Sequence, residues 1–173
     1  TPQPALYASV LSFASVIANF SHTLTPVTDL PTEGPHTASK RLMSRALARA
    51  SLILLHRNFR GREQRSREAC LGAADEALRV LGELEVGRIY CVDALFAYLL
   101  GMVAQVYIDE IADAKALTAA VDQPLYASYS ALQVDTLATS VRRIIALLTV
   151  LGIKCKVMAR KAPEVQQAFT AVL

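Results

Sequence analysis

Between Ala46 and Leu84 the chain reads ALARASLILLHRNFRGREQRSREACLGAADEALRVLGEL: an apolar run of helical period, a basic break, and a second run of the same period. Leu42, Ala46, Ala50, Ile53 and Leu54 fall to one side of the first run, with Arg41, Arg45 and Arg49 on the other. Cys70, Ala73, Ala74, Ala77, Leu78, Leu81 and Leu84 form the stripe of the second. Small residues at 69, 73, 74 and 77 would let another helix approach closely. Thr37 is expected to cap the first helix and Ser66 the second, because a hydroxyl there can accept from a free backbone N–H.

The same period recurs elsewhere. Pro4 can occupy a first helical turn, and Leu6, Val10, Phe13, Ile17 and Phe20 predict a helix over about 4–22. Residues 22–36, with Pro26, Pro31, Gly34 and Pro35, contain too many breakers for regular structure and predict an exposed loop, most Pro-rich near 23–36. After a break at Gly87, Tyr90 to about Ala120 predicts one long helix or two, apolar enough to be central. Asp122, Gln123 and Pro124 predict another break. A segment 125–132 follows, then a helix from Asp135 that Gly152 interrupts, and a last short helix started by Pro163. No alternating β-branched run or two-residue hairpin signal competes. The expected fold is therefore all-α, a single-domain array of about five to seven packed helices spanning residues 1–173. An N-terminus with neither Met nor a basic stretch predicts a piece of a longer protein.

Composition narrows the functional classes. A 53% hydrophobic content suits a folded chain rather than a disordered one. The apolar run from Ala94 to Ile108 is shorter than the roughly 20 residues of a membrane span, so a buried core helix and no membrane partner are expected. Three scattered cysteines, Cys70, Cys91 and Cys155, offer no metal-ligand spacing and suit a reducing compartment. The overall charge of +3 is uneven: Lys40 to Arg67 holds nine basic residues against Glu63, a net +8, which leaves −5 elsewhere. Arg57, Arg60, Arg62, Arg65 and Arg67 crowd the break and make a candidate basic interaction patch. Their lack of interleaved aromatics, Phe59 apart, argues against single-strand nucleic-acid stacking.

Catalytic signatures are missing: no GxSxG, HExxH, Walker loop or GxGxxG occurs. Asp109, Glu110 and Asp113 could bring two carboxylates together, but no Glu-x-x-His pair accompanies them. They offer the sole footing for a helical enzyme. His56 lies where the first organising helix ends, where it could interact with the dipole or with a free terminal carbonyl, a structural role. No catalytic residue, metal or cofactor is expected.

Leu54, Leu55, His56, Arg57 and Phe59, followed by Ser66, Cys70, Ala73 and Ala74, resemble the regulatory domain, or middle homology region, of fungal binuclear zinc-cluster transcription factors. That family carries His-Arg-Pro-Phe at a helix end and then Ser-x-x-x-Cys-x-x-Ala-Ala; here Asn58 stands in place of the Pro. The motif covers about residues 54–81, and LATSVRRIIALLTVLGIKCKVMARKAPEVQQAF is similar to the paired helices that close the family's domain. The resemblance implies a nuclear regulator that controls activation through intramolecular restraint, self-association or protein partners, or in some members through a small-molecule inducer. It also implies architectural roles: His56 and Arg57 pin the helix end, and Ser66, Cys70, Ala73 and Ala74 allow close packing. The family's six-cysteine DNA-binding module is missing from this sequence, so DNA is expected to be reached only through such a module. The alternative expectation is a sensor with an apolar pocket among Leu95, Leu99, Met102, Ile144, Ile145 and Leu148.

Overall fold

The structure, a computed structural model, describes residues 4–24, 35–82, 93–120 and 124–173. Among these the chain forms six helices and no strand: α1 (Pro4–Thr23), α2 (Pro35–His56), α3 (Gln64–Gly82), α4 (Leu95–Ala120), α5 (Pro124–Gly152) and α6 (Lys156–Val172). The all-α expectation holds. Three helices begin on proline, whose fixed φ suits the first turn and whose missing N–H is not needed there. The breakers Pro26, Pro31 and Gly34, the break at Gly87, and Asp122 and Gln123 lie outside the described residues, as does Cys91.

The chain divides into two compact units, Thr1–Val92 and Asp93–Leu173. In the first, α2 packs against both α1 and α3. α1 is helical as its period predicts, but it buries Val10, Ala14 and Ser21, while Leu6, Phe13 and Phe20 are each more than half exposed. In the second unit α4, α5 and α6 pack pairwise against one another. α4 fills the place its apolarity predicts, with Phe96, Leu99, Leu100, Val103, Tyr107, Ile108 and Ile111 buried. By length and mean hydropathy alone α1 and α4 could each cross a membrane, but the apolar window of α4 is 61% buried within the protein and that of α1 only 17%.

Several boundaries differ from the sequence reading. α2 starts two residues before Thr37, at Pro35, and α3 starts at Gln64, so neither Thr37 nor Ser66 is a cap. The segments expected at 125–132 and from Asp135 are one continuous helix. No Gly or Pro separates them, and each added residue adds a hydrogen bond at little further cost. Thr136 and Thr139 return their hydroxyls to the carbonyls of Leu132 and Asp135 rather than capping anything.

α5 does end at Gly152, where a Cβ would stand 3.0 Å from the backbone of Ala159 in α6. Glycine admits that close approach. α6 then starts at Lys156 after an extended Cys155, and Pro163 lies inside it instead of starting it. An internal proline removes one helix hydrogen bond and costs roughly 3 kcal/mol. Here its ring is on the exposed side, while Met158, Ala162, Val165 and Phe169, one apolar stripe, are buried. Burial of that stripe holds the helix through the proline. Arg142 of α5 lies over the Phe169 ring at 5.8 Å.

Candidate functional site

The motif residues of the first unit gather where α2 meets α3. α2 closes with the Arg57 N–H donating to the Ile53 carbonyl at 2.8 Å, and the chain then turns tightly, Phe59 N–H to His56 O at 2.9 Å and Glu63 N–H to Phe59 O at 2.8 Å. These short backbone loops give the chain a tight, hydrogen-bonded passage into α3.

The turn places His56 and Ser66 face to face. His56 is 3% exposed and Ser66 is fully buried, with Nδ1 to Oγ at 3.0 Å. The Tyr7 hydroxyl of α1 lies 3.2 Å from the same Oγ, and its ring stands 5.3 Å, centroid to centroid, from that of buried Phe59. One serine hydroxyl therefore ties together all three helices of the unit. Burial, and then the nearby Arg65 cation, hold the His56 pKa below its ordinary value, which favours a neutral ring. The expected partners of His56, the helix dipole and a terminal carbonyl, give way to the Ser66 hydroxyl.

Small residues complete the contact. Cys70 is fully buried and its Sγ points at the Ile53 carbonyl at 3.8 Å, a weak thiol hydrogen bond. Ala73, Ala74 and Ala77 are buried on α3, as are Ala50 and Ile53 on α2. With Cys70 and the alanines on the α3 side, the two backbones can approach closely. Ser66 touching His56 is the pairing seen in nucleophilic catalysis, but a hydroxyl with no solvent exposure offers no approach to a substrate. Its work here is to join helices.

Around this junction Arg57, Arg62 and Arg65 are exposed, and Arg60 and Arg67 are partly exposed. Arg57, expected to pin the helix end, donates its backbone N–H to Ile53 as any non-proline residue there would, while its side chain faces solvent. Ten residues past Ser66 along α3, the Glu76 carboxylate receives Nε and Nη2 of Arg79 at 2.8 Å each and stands 3.8 and 3.6 Å from the guanidinium groups of Arg45 and Arg49 in α2. The hydrogen bond from Arg79 and the three positive charges hold the Glu76 pKa below its ordinary value against the opposing effect of burial.

Two contributors were not evident from the sequence reading. Tyr7 lies 59 residues from Ser66, and the period of α1 drew attention to Leu6, Phe13 and Phe20 instead. A polar-tipped aromatic in register with Val10, Ala14 and Ser21 was the available signal. Glu76 was obscured by the arginine-rich segment; its place beside the Ala73 and Ala77 stripe, toward a ridge of arginines four apart, was the corresponding signal.

The other candidates fall in the second unit. Leu99, Ile144 and Leu148 are buried, Met102 and Ile145 half-buried, and Leu95 is 43% exposed, on two helices that pack together. Asp109 accepts from the Gln105 amide at 2.7 Å, Glu110 is buried and Asp113 exposed, so the acidic turn points in different directions. Among the described residues no group of three His, Cys, Asp or Glu could hold a metal ion. No protein-family model matches this chain, and no curated protein or solved structure is significantly similar to it.

Proposed function

We propose that this chain is a regulatory, protein-interaction domain of a fungal zinc-cluster transcription factor, acting in the nucleus without enzymatic activity. The observation that supports this reading most is the meeting of the two motif halves. His56 and Phe59 from the first half and Ser66 and Cys70 from the second form one buried junction. A motif kept for architecture has its residues inside, as these are, and leaves a different set of side chains to meet a partner. That set is the exposed Arg57, Arg62 and Arg65 on the junction's outer side. An acidic segment of another protein, or of the same protein held in restraint, is the complementary surface. DNA is reached through a separate zinc-cluster module.

The test is a reporter assay in which the chain is tethered to a heterologous DNA-binding module. Replacing Arg57, Arg62 and Arg65 by Glu should change transcriptional output at least severalfold while the far-ultraviolet circular dichroism stays that of the parent. Output insensitive both to the presence of the chain and to these replacements would remove the regulatory reading.

A further inference from the structure

Arg45 and Arg49 are one helical turn apart on α2, and like charges at that spacing repel. Their side chains are only 16% and 17% exposed, which makes the repulsion harder for solvent to screen. The ionic partner the structure gives them among the described residues is Glu76, at 3.8 and 3.6 Å, beyond hydrogen-bond distance. The Glu76 carboxylate is instead gripped in bidentate fashion by Arg79 of its own helix. Three guanidinium groups thus stand around one carboxylate, and those of Arg45 and Arg49 have donors that Glu76 does not engage. Beside them a narrow cleft of about 10 Å³, walled by Leu42, Ala77 and Leu81, has room for one water. Arg79, 54% exposed, stands at the solvent side of the cluster.

We propose that Arg45, Arg49 and Arg79 form a receptor for a phosphate monoester or inorganic phosphate, with Glu76 acting as the internal carboxylate that keeps the arginines gathered until the anion arrives. The oxygens of a phosphate dianion accept the forked donors of Arg45 and Arg49 that Glu76 leaves unused. It sits at the mouth of the cluster, because the cleft itself is too small for it. The site stands on the arginine geometry and does not depend on the transcriptional reading.

Removing the internal competitor should strengthen binding while removing the arginines abolishes it. Thermal unfolding of the chain is followed against inorganic phosphate in low-salt buffer, with chloride at matched ionic strength as the control. The parent should show a saturable rise in Tm with phosphate. Glu76→Gln should reach half-saturation at about thirtyfold lower phosphate, the factor expected for removing one unit charge about 4 Å from a dianion in water. Arg45→Gln/Arg49→Gln should lose the saturable response, and Arg79→Gln, a change at an exposed position, should weaken it even if the double variant does not fold. Arg160→Gln, at an exposed position on α6 outside the cluster, should leave it intact. A phosphoserine peptide binding more tightly than phosphate identifies a polypeptide as the source, and equal binding identifies the free ion; either supports the receptor. No response beyond chloride in both the parent and Glu76→Gln, or a response unchanged in Arg79→Gln, would overturn it.

Discussion

The α2–α3 seam and the α4–α6 unit bury side chains by opposite means. Of the ten largest fully buried side chains, eight belong to α4, α5 and α6, among them Tyr107, Ile111, Ile144, Leu148 and Phe169. The two from the first unit are Cys70 and Ser66, both small and both in the motif. The second unit is thus a filled apolar core, in which buried side-chain volume supplies the stabilisation. The seam is a close approach of two helices, where small residues set the distance and a buried hydroxyl fixes the register.

The contrast predicts opposite sensitivities. Truncation should hurt most in the second unit: Ile144→Ala, at a fully buried site, should cost about 2–5 kcal/mol in calorimetric unfolding, through lost burial and the cavity left behind. Enlargement should hurt in the seam. Ala74→Leu is expected to cost about 1–3 kcal/mol, because α2 must be pushed away or a rotamer strained. A neutral Ala74→Leu would mean that the seam has room to spare and that the two units do not differ in how they pack.

Ser66→Ala tests the polar half of the seam. It removes no more than one atom but strands the Tyr7 hydroxyl and His56 Nδ1, and should cost about 1–3 kcal/mol in urea titration. Tyr7→Phe in the Ser66→Ala background should then cost less than it does alone, since the bond it would break is already gone.

The smallest effect is a pH dependence confined to the first unit. The His56 pKa lies below 6.5 in the folded chain, so the unfolded chain binds more protons as pH falls below 6.5. The stability contributed by His56 is complete above 6.5 and declines as pH falls toward the folded value. Glu76 has the depressed-carboxylate pattern: its contribution is present above 4.5 and is lost as pH falls through its lower folded pKa. Urea midpoints measured across pH should fall in two stages, and His56→Gln should remove the upper one while leaving the lower.

Much of this was legible in the sequence, in particular places. The two motif halves named six of the residues buried at the junction, His56, Phe59, Ser66, Cys70, Ala73 and Ala74, because a fixed spacing on two adjoining helices specifies who can meet. The period of α4 announced a core helix, and Gly152 announced the end of α5. Pro163 misled, because a local rule against proline in helices does not know how strongly Met158, Val165 and Phe169 are drawn into the core. Ser66 misled as a cap for a related reason: a hydroxyl at a helix start can serve its own backbone or a distant side chain, and only the position of Tyr7 and His56 decides.

By itself the sequence determined the helical class, most helix positions, the small-residue seam and the concentration of arginine, since all are properties of neighbours along one chain. Tertiary structure alone decided which face of α1 is buried, which hydroxyl holds α1, α2 and α3 together, and that Glu76 stands among Arg45, Arg49 and Arg79. Those outcomes depend on how helices rotate about their own axes when they pack. Periodicity fixes that rotation only when one face is plainly more apolar than the others. α1 carries no Asp, Glu, Lys or Arg, so its sequence offered no such distinction.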